Sequence, residues 1–215
     1  MTGVQTCALP IFQTLLIYII PLQFAITLHE AAHGWVASKL GDHTARMMGR
    51  VTLNPIKHVD PVGTVVVPLL LIVMNVGFIF GWAKPVPINF RALRSQKSGM
   101  IWVALAGPGA NFLMAIGWVL VAIISINFNI HILLKMAGIG IFFNILLAVF
   151  NLLPIPPLDG SRVISALLPG PLAYKYGQFE QYGFLILLGL MYIGGFQLFV
   201  LPIVNQIQLF FIAFI

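Results

Sequence analysis

Long apolar runs separated by short polar loops dominate this sequence. A membrane-spanning helix needs about 20 mostly apolar residues, and the longest nearly uncharged runs are 12–40, 62–80, 100–128, 130–153 and 182–215. The last run has room for two spans divided near Pro202, and Pro21 predicts a kink in the first. The pattern therefore predicts an all-α polytopic membrane protein, a bundle of about five transmembrane helices.

The polar segments between these runs have their own patterns. The loop at 43–60 contains an alternating stretch, Arg50–Leu53, which predicts a small β hairpin or sheet near 44–57. A second basic, proline-rich loop occupies 81–99. After the 130–153 run, a proline-rich break precedes a predicted short helix at 161–168.

The composition agrees with a membrane location. Of the 215 residues, 60% are hydrophobic and 7% are charged, whereas about a quarter of residues are charged in soluble domains. The net charge of +6 comes from basic residues in short loops, where we expect contact with lipid headgroups and not with nucleic acid. A single cysteine, Cys7, excludes an internal disulfide framework. We predict one membrane-embedded domain over 12–215.

Residues 1–11 are treated separately because foreign segments must be excluded before the fold is considered. Their sequence, MTGVQTCALPI, resembles the translation of a sequencing-library adapter. We interpret this segment as an artefactual or disordered N-terminus, and the alternative is a genuine short N-terminus.

The first run contains an H-E-x-x-H motif formed by His29, Glu30 and His33. Residues four apart share one face of a helix, so both imidazoles can turn toward a single metal ion, with Glu30 beside the metal-bound water. Ionisable groups inside a bilayer are costly unless they are paired or ligated, which makes these residues functional-site candidates. The alternative interpretation is a chance match in which the histidines are polar contacts between helices.

Catalytic zinc usually takes three protein ligands and keeps one open position. The chain has few acidic candidates for the third ligand: Glu30, Asp42, Asp60, Asp159 and Glu180. Asp159 follows a proline-broken helix end, and irregular backbone at membrane depth is tolerated only where it is buried or lines a cavity. We therefore predict Asp159 as the third ligand. The alternatives are that Asp159 is a helix cap, or that Glu180 completes the site of a different membrane-embedded protease.

The choice of Asp159 makes a demand on the topology. Asp159 reaches the same half of the membrane as His29 only if the 62–80 run enters the membrane or lies against the bundle without crossing. Ten of the eleven basic residues then lie on one face, with Lys135 opposite. This distribution predicts a multi-pass protein of the cell membrane whose active site opens toward the cytoplasm.

Four further stretches accompany the H-E-x-x-H motif: GDHTARMMGRVTLNPIKHVDPVGT, FGWAKPVPIN, AGPGAN at 106–111, and FNLLP at 150–154 leading to Leu158-Asp159-Gly160. Together they resemble the site-2 protease family of intramembrane zinc metalloproteases, especially its compact bacterial and archaeal members, over about residues 20–205. One departure is Ser161, where many members have a second glycine.

The resemblance implies one Zn²⁺ per chain, bound by His29, His33 and Asp159, with Glu30 as the general base. It also implies that Asn151 positions substrate or active-site loops. The remaining residues of these motifs are interpreted as structural: Gly107, Pro108, Asn111 and Gly160. Small residues let membrane helices approach closely and an intramembrane asparagine bonds to a neighbouring helix, which favours a structural role for Asn111 and Asn144.

The expected function is hydrolysis of a peptide bond within or near a transmembrane segment of a single-pass membrane protein, as in regulated intramembrane proteolysis. A strand within 44–57 is expected to hold the unwound substrate by edge pairing. An inactive membrane scaffold of the same fold is the alternative, and Glu30 argues against it because a scaffold needs no general base. His43, His58 and His131 are interpreted as surface or interface residues.

Overall fold

The computed structural model describes residues 3–75 and 81–215, with side chains from residue 13 onward. All regular structure in these residues is helical: α1 (Gly3–Lys39), α2 (Thr44–Met47), α3 (Val67–Val73), α4 (Gln96–Asn127), α5 (His131–Asn151), α6 (Asp159–Leu167), α7 (Gly170–Gln178), α8 (Glu180–Tyr192) and α9 (Leu201–Ile212). Short turns of 3₁₀ or π helix lie at Pro55–His58, Pro61–Val66, Phe90–Ala92 and Phe196–Val200. The origin of residues 1–11 stays a prediction.

Three long helices, α1, α4 and α5, pack against one another and form the centre of the molecule. Each is long and apolar enough to cross a membrane. The main core lies where α4 and α5 meet α9, around Val119, Ile145 and Val204. Gly140 allows a close approach there, because a Cβ at this position would lie 2.4 Å from the ring of Trp118. The close packing of these helices holds the faces that carry the candidate site.

The structure corrects the number of spans. Among the described residues there are three candidate spans, or up to four if α8 and the helix Phe196–Ile212 count as one bent pair, and not about five. The pair bends by 78°, and the chain turns at Gly194, whose φ is +77°. Pro202 lies instead in the first turn of α9, directly after the π turn Phe196–Val200, and the helix Phe196–Ile212 continues through it. Pro21 does not interrupt α1.

The predicted β hairpin near 44–57 is wrong, since the described residues contain no strand. The short helix α2 and irregular backbone occupy this loop. The backbone groups that a strand would pair are used locally: the Arg50 N–H donates to the carbonyl of Ala45 at 2.9 Å, and the carbonyl of Thr52 accepts from the Nε2 atom of His58 at 3.0 Å. An alternation of only four residues did not outweigh these bonds.

The 62–80 run begins as a short helix, Pro61–Val73, which at about 1.5 Å per residue is shorter than the hydrocarbon core of about 30 Å. Its two described ends lie side by side, because the Trp82 N–H donates to the carbonyl of Gly63 at 3.1 Å. The chain at Trp82 therefore lies beside the start of the run at Gly63. A segment that does not cross the membrane requires this arrangement. Residues 76–80 lie outside the described part.

The two polar loops lie against each other at one end of the bundle. Arg94 donates its N–H to the carbonyl of Leu40 at 2.9 Å, and Lys84 donates its N–H to the carbonyl of His58 at 2.9 Å. Asp42 is fully buried between the loops and accepts the N–H of Asn89 at 2.6 Å. Burial raises the pKa of Asp42, but hydrogen bonds from Thr44 and Asn89 outweigh it and hold that pKa below its ordinary value.

Candidate metal centre

The structure brings together the three predicted ligands. His29 and His33 lie one turn apart on α1, each 6% exposed, with their Nε2 atoms 3.0 Å apart. The Oδ2 atom of Asp159 lies 3.2 Å from the His29 Nε2 and 3.3 Å from the His33 Nε2. Two nitrogens and one carboxylate oxygen, contributed by α1 and α6, therefore face a common point.

The end of α5 determines where Asp159 lies. The chain from Pro154 to Pro157 cannot continue the α5 helix, and α6 begins at Asp159. A Cβ on Gly160 would lie 2.2 Å from the carbonyl oxygen of Leu152, so only glycine lets α6 start this close to α5. Leu158 occupies the cap position and no side chain caps the helix. Asp159 is therefore not a helix cap in this structure, and its carboxylate points toward the histidines.

Hydrogen bonds on the far side of each imidazole fix its tautomer. The Nδ1 atom of His33 lies 2.7 Å from the carbonyl oxygen of Val103, which can only accept. The Nδ1 atom of His29 lies 2.6 Å from the Oδ1 atom of Asn111. Both Nδ1 atoms therefore carry the proton, so in the neutral imidazoles both Nε2 atoms present lone pairs.

The side-chain amide of Asn111 has only one orientation that satisfies its neighbours. Its Nδ2 atom lies 3.1 Å from the carbonyl oxygen of Ala25 and 2.9 Å from the Oδ1 atom of Asn144. The Nδ2 atom of Asn144 in turn donates to the carbonyl of Gly140 at 2.8 Å. This chain of bonds leaves Asn111 Oδ1 as the acceptor for His29, and it joins α1 to both α4 and α5.

The cluster fits a metal ion. Two imidazole lone pairs and a carboxylate oxygen repel one another at about 3 Å unless a cation lies between them, and among the described residues the buried Asp159 Oδ2 has no hydrogen-bond partner. Gly107 leaves the space beside the cluster, since a Cβ there would lie 2.4 Å from His33 Nε2 and 2.6 Å from His29 Nε2. Nitrogen and carboxylate ligands with one open position are what catalytic Zn²⁺ uses.

One face of α4 supports the two histidines. Val103, Gly107 and Asn111 are spaced four residues apart, so they share a face. In order, they supply the carbonyl for His33, the space for both rings and the amide for His29. Pro108 is fully buried on the same helix. This stretch of α4 thus holds the rings of the two candidate ligands in place.

Replacing Asn111 by alanine is expected to weaken zinc binding by about 10- to 100-fold, the usual cost of losing a partner that orients a metal-bound histidine. Chelator competition on the purified protein measures the affinity. Asn127→Ala is the matched control on α4, because Asn127 is exposed and, among the residues that the structure describes, its side chain bonds to the carbonyl of Ile123 in its own helix. Equal zinc affinity in the two variants would contradict the role given to Asn111.

Glu30 lies between the two histidines in sequence and is half-buried. Its Oε2 atom accepts the backbone N–H of Val86 at 2.8 Å. This bond orients the carboxylate from the side of the second polar loop. No local pattern in the sequence pairs the Val86 N–H with Glu30, because the two residues lie 56 positions apart and only the tertiary packing brings them together.

The remaining candidates lie apart from the cluster. Asn151 ends α5 and donates to the carbonyl of Leu147 at 2.9 Å, so its role in substrate binding stays a prediction. Glu180 is paired with Arg162 and is not a member of the cluster. His43 and His131 are exposed, whereas His58, predicted as a surface or interface residue, is only 2% exposed.

Comparisons with known proteins agree on one family. The model of peptidase family M50 matches residues 121–194. The protein YwhC of Bacillus subtilis (strain 168), which carries a zinc metalloprotease name, is 41% identical over 178 residues, covering 79% of this chain and 77% of that protein. No solved structure matches the chain significantly.

Two mycobacterial proteins named as zinc metalloprotease Rip2 are also similar. The one from Mycolicibacterium smegmatis is 32% identical over 170 residues, which cover 78% of this chain and 63% of that protein. The one from Mycobacterium tuberculosis (strain Erdman) is 33% identical over 144 residues, 66% of this chain and 53% of that protein. The chain therefore belongs to peptidase family M50, the site-2 protease family, and is a membrane-embedded zinc metalloprotease.

Proposed function

We propose that the protein is an intramembrane endopeptidase that cuts within or near a transmembrane segment of a single-pass membrane protein, as a step of regulated intramembrane proteolysis. In this proposal His29, His33 and Asp159 hold one Zn²⁺ and Glu30 is the general base. Membrane lipid surrounds the bundle, and no nucleic acid is involved.

The observation that carries the proposal is the position of the cluster along α1. His29 lies ten residues before Lys39, the end of the helix, and at about 1.5 Å per residue this is about 15 Å. The hydrocarbon core is about 30 Å thick. A site at this depth on an apolar helix is within reach of the transmembrane segments of other proteins.

The chain's own residues supply the acid–base chemistry. Bound Zn²⁺ would polarise the scissile carbonyl and lower the pKa of water to about 7. With its Oε2 atom held by Val86, Glu30 keeps Oε1 to take a proton from the attacking water and pass it to the leaving amine. Asn111 and Val103 hold the two imidazoles in the tautomer that binds the metal.

An apolar groove of about 340 Å³ borders the motif helix. On one side, α1 lines the groove with Ala31 and Ala32, the two residues inside the H-E-x-x-H motif, and with Leu28 and Trp35. The other lining residues are Val51, Thr52, Leu53 and Ala110. Trp35 and Leu53 are 56% and 66% exposed, so the groove is open at the surface. An apolar segment lying there would be next to the site.

We place the active site on the cytoplasmic side. Hydrogen bonds join the two polar loops at one end of the bundle, so Lys39, Arg50, Lys84 and Arg94 lie on one side of the membrane. Lys135 lies in the second turn of α5, close to the end of α4 that is farther from these loops. Such clustering of basic residues is typical of a cytoplasmic face.

Cleavage of a single-pass model substrate in proteoliposomes tests the proposal, with the cut mapped by mass spectrometry. A helix hides its carbonyl groups in its own hydrogen bonds, so the substrate must unwind before attack. We expect cuts inside the apolar segment, and faster cutting when a helix-breaking Gly or Pro is placed near the bond. Cutting confined to soluble, unfolded peptides would contradict an intramembrane function.

A further inference from the structure

The segment 84–89, Lys-Pro-Val-Pro-Ile-Asn, connects the second polar loop to the candidate general base. We propose that this segment positions the Glu30 carboxylate through the Val86 N–H, and that Arg50 fixes the segment by binding its carbonyl groups. The inference rests on the proposed role of Glu30 as general base. Arg50 and the 84–89 segment are then positioning elements and not catalytic ones.

The sequence of the segment singles out one donor. Pro85 and Pro87 have no backbone N–H, so Val86 offers the only N–H group between Lys84 and Ile88. The ring of Pro87 also restricts Val86 to extended backbone conformations. That single N–H lies 2.8 Å from Glu30 Oε2, so the segment presents one prearranged donor to the carboxylate.

The side chain of Val86 seats the segment on the same helix face. Glu30 and Gly34 lie one turn apart on α1 and share that face. Val86 is 7% exposed, and its Cγ1 atom would lie 3.1 Å from a Cβ placed on Gly34. The amide of Val86 therefore holds Glu30 while its side chain packs one turn further along the helix.

Both ends of the segment are tied down. The Nη2 atom of Arg50 donates to the carbonyl oxygens of Lys84 and Pro85 at 2.8 and 3.3 Å. At the other end the N–H of Asn89 donates to Asp42. Arg50 is 8% exposed, and within the described residues it forms no ion pair with a carboxylate. Its buried charge is therefore directed at the backbone that precedes the Val86 N–H.

Two variants of Val86 separate the amide from the side chain. Val86→Pro removes the N–H, whereas Val86→Ala keeps it and shortens the side chain. A misplacement of about 1 Å in a catalytic group costs on the order of 100-fold in rate, so we expect Val86→Pro to lower kcat by about 10- to 100-fold with little change in KM. Val86→Ala should retain most of the kcat of the wild type.

Variants of Arg50 form the second part of the test. Arg46 is the matched control, because it is exposed in the same loop. Arg50→Ala should lower kcat and speed hydrogen exchange of the 84–89 amides at unchanged zinc content. Arg50→Lys should restore part of both, since an ammonium group can still donate to one carbonyl. Arg46→Ala should behave as the wild type. If Val86→Pro fails to fold or to bind zinc, the Arg50 variants alone test the positioning role of the 84–89 segment.

The outcomes distinguish this inference from the proposed function. Equal kcat for Val86→Pro and Val86→Ala, or for Arg50→Ala and Arg46→Ala, would overturn the positioning role while leaving the protease intact. A loss of kcat in Arg50→Ala without faster exchange in 84–89 would overturn it as well. A wild-type protein that cuts no membrane substrate contradicts the proposed function itself, and the inference with it.

Discussion

Glu30→Gln is expected to abolish most cleavage while leaving zinc bound. The glutamine side chain has nearly the same shape and can still accept the N–H of Val86, but it cannot take a proton from water. General-base catalysis contributes about 10²- to 10⁴-fold, so kcat should fall by about that factor. Rates on a single-pass substrate, together with zinc per chain by metal analysis, measure the two effects separately.

The same measurements also test the alternative that the protein is an inactive scaffold. A scaffold would show the same substrate binding in the wild type and in Glu30→Gln, with no cleavage by either. If instead the variant cleaved at the wild-type rate, Glu30 would not be the general base, and another acceptor would have to be sought beside the cluster.

Gly107→Ala is expected to lose zinc. A Cβ at this position would lie 2.4 Å from His33 Nε2 and 2.6 Å from His29 Nε2, closer than atoms in contact allow, so both ligand rings would have to move. Even an indirect disturbance of metal ligands costs about 10- to 100-fold in affinity. We therefore expect the zinc affinity to fall by about 100-fold or more, and the activity with it.

Gly109→Ala is the matched control for Gly107→Ala. Gly109 lies on the same helix two residues further on, is exposed, and has no atom within 4 Å of a Cβ placed on it. Alanine also favours the helix at both positions, so a general effect on α4 would be the same in the two variants. Full zinc binding by Gly107→Ala would show that the cluster does not hold the metal.

The residues of the site could be predicted because their spacing carries the geometry. His29 and His33 share a helix face by their separation alone, and Asp159 stood out as an acidic residue at a broken helix end. The groups that orient them are mostly backbone: Val103 offers a carbonyl and Val86 an N–H. Every residue has a backbone carbonyl, so no local sequence pattern shows which carbonyl will bond to His33. The tertiary packing selects that of Val103.

Two differences in the fold have identifiable physical causes. The sequence predicts a break near Pro202 in the last apolar run, but Pro202 lies inside the helix Phe196–Ile212, and the turn falls at Gly194, where φ is +77°. The Arg50–Leu53 alternation indicated a strand, yet Arg50 turns inward to bind carbonyl groups of the 84–89 segment. The local backbone bonds of the loop and the long-range bonds of the Arg50 side chain together outweighed this four-residue pattern.

Asn111 makes more contacts than its sequence position predicts. An intramembrane asparagine was expected to bond between helices, and it does so through Ala25 and Asn144. The sequence could not show that these two bonds turn its remaining oxygen toward His29. Asn111 thus both joins the helices and orients the His29 ring.

The most direct test of the account is the zinc content of three purified proteins: the wild type, Asp159→Ala and Glu180→Gln. The account predicts one Zn²⁺ per chain in the wild type and in Glu180→Gln, because Glu180 pairs with Arg162 away from the cluster. It predicts little or no zinc in Asp159→Ala, whose two histidines alone would remain. Full zinc in Asp159→Ala, or its loss in Glu180→Gln, would contradict the assignment of His29, His33 and Asp159 as the metal site.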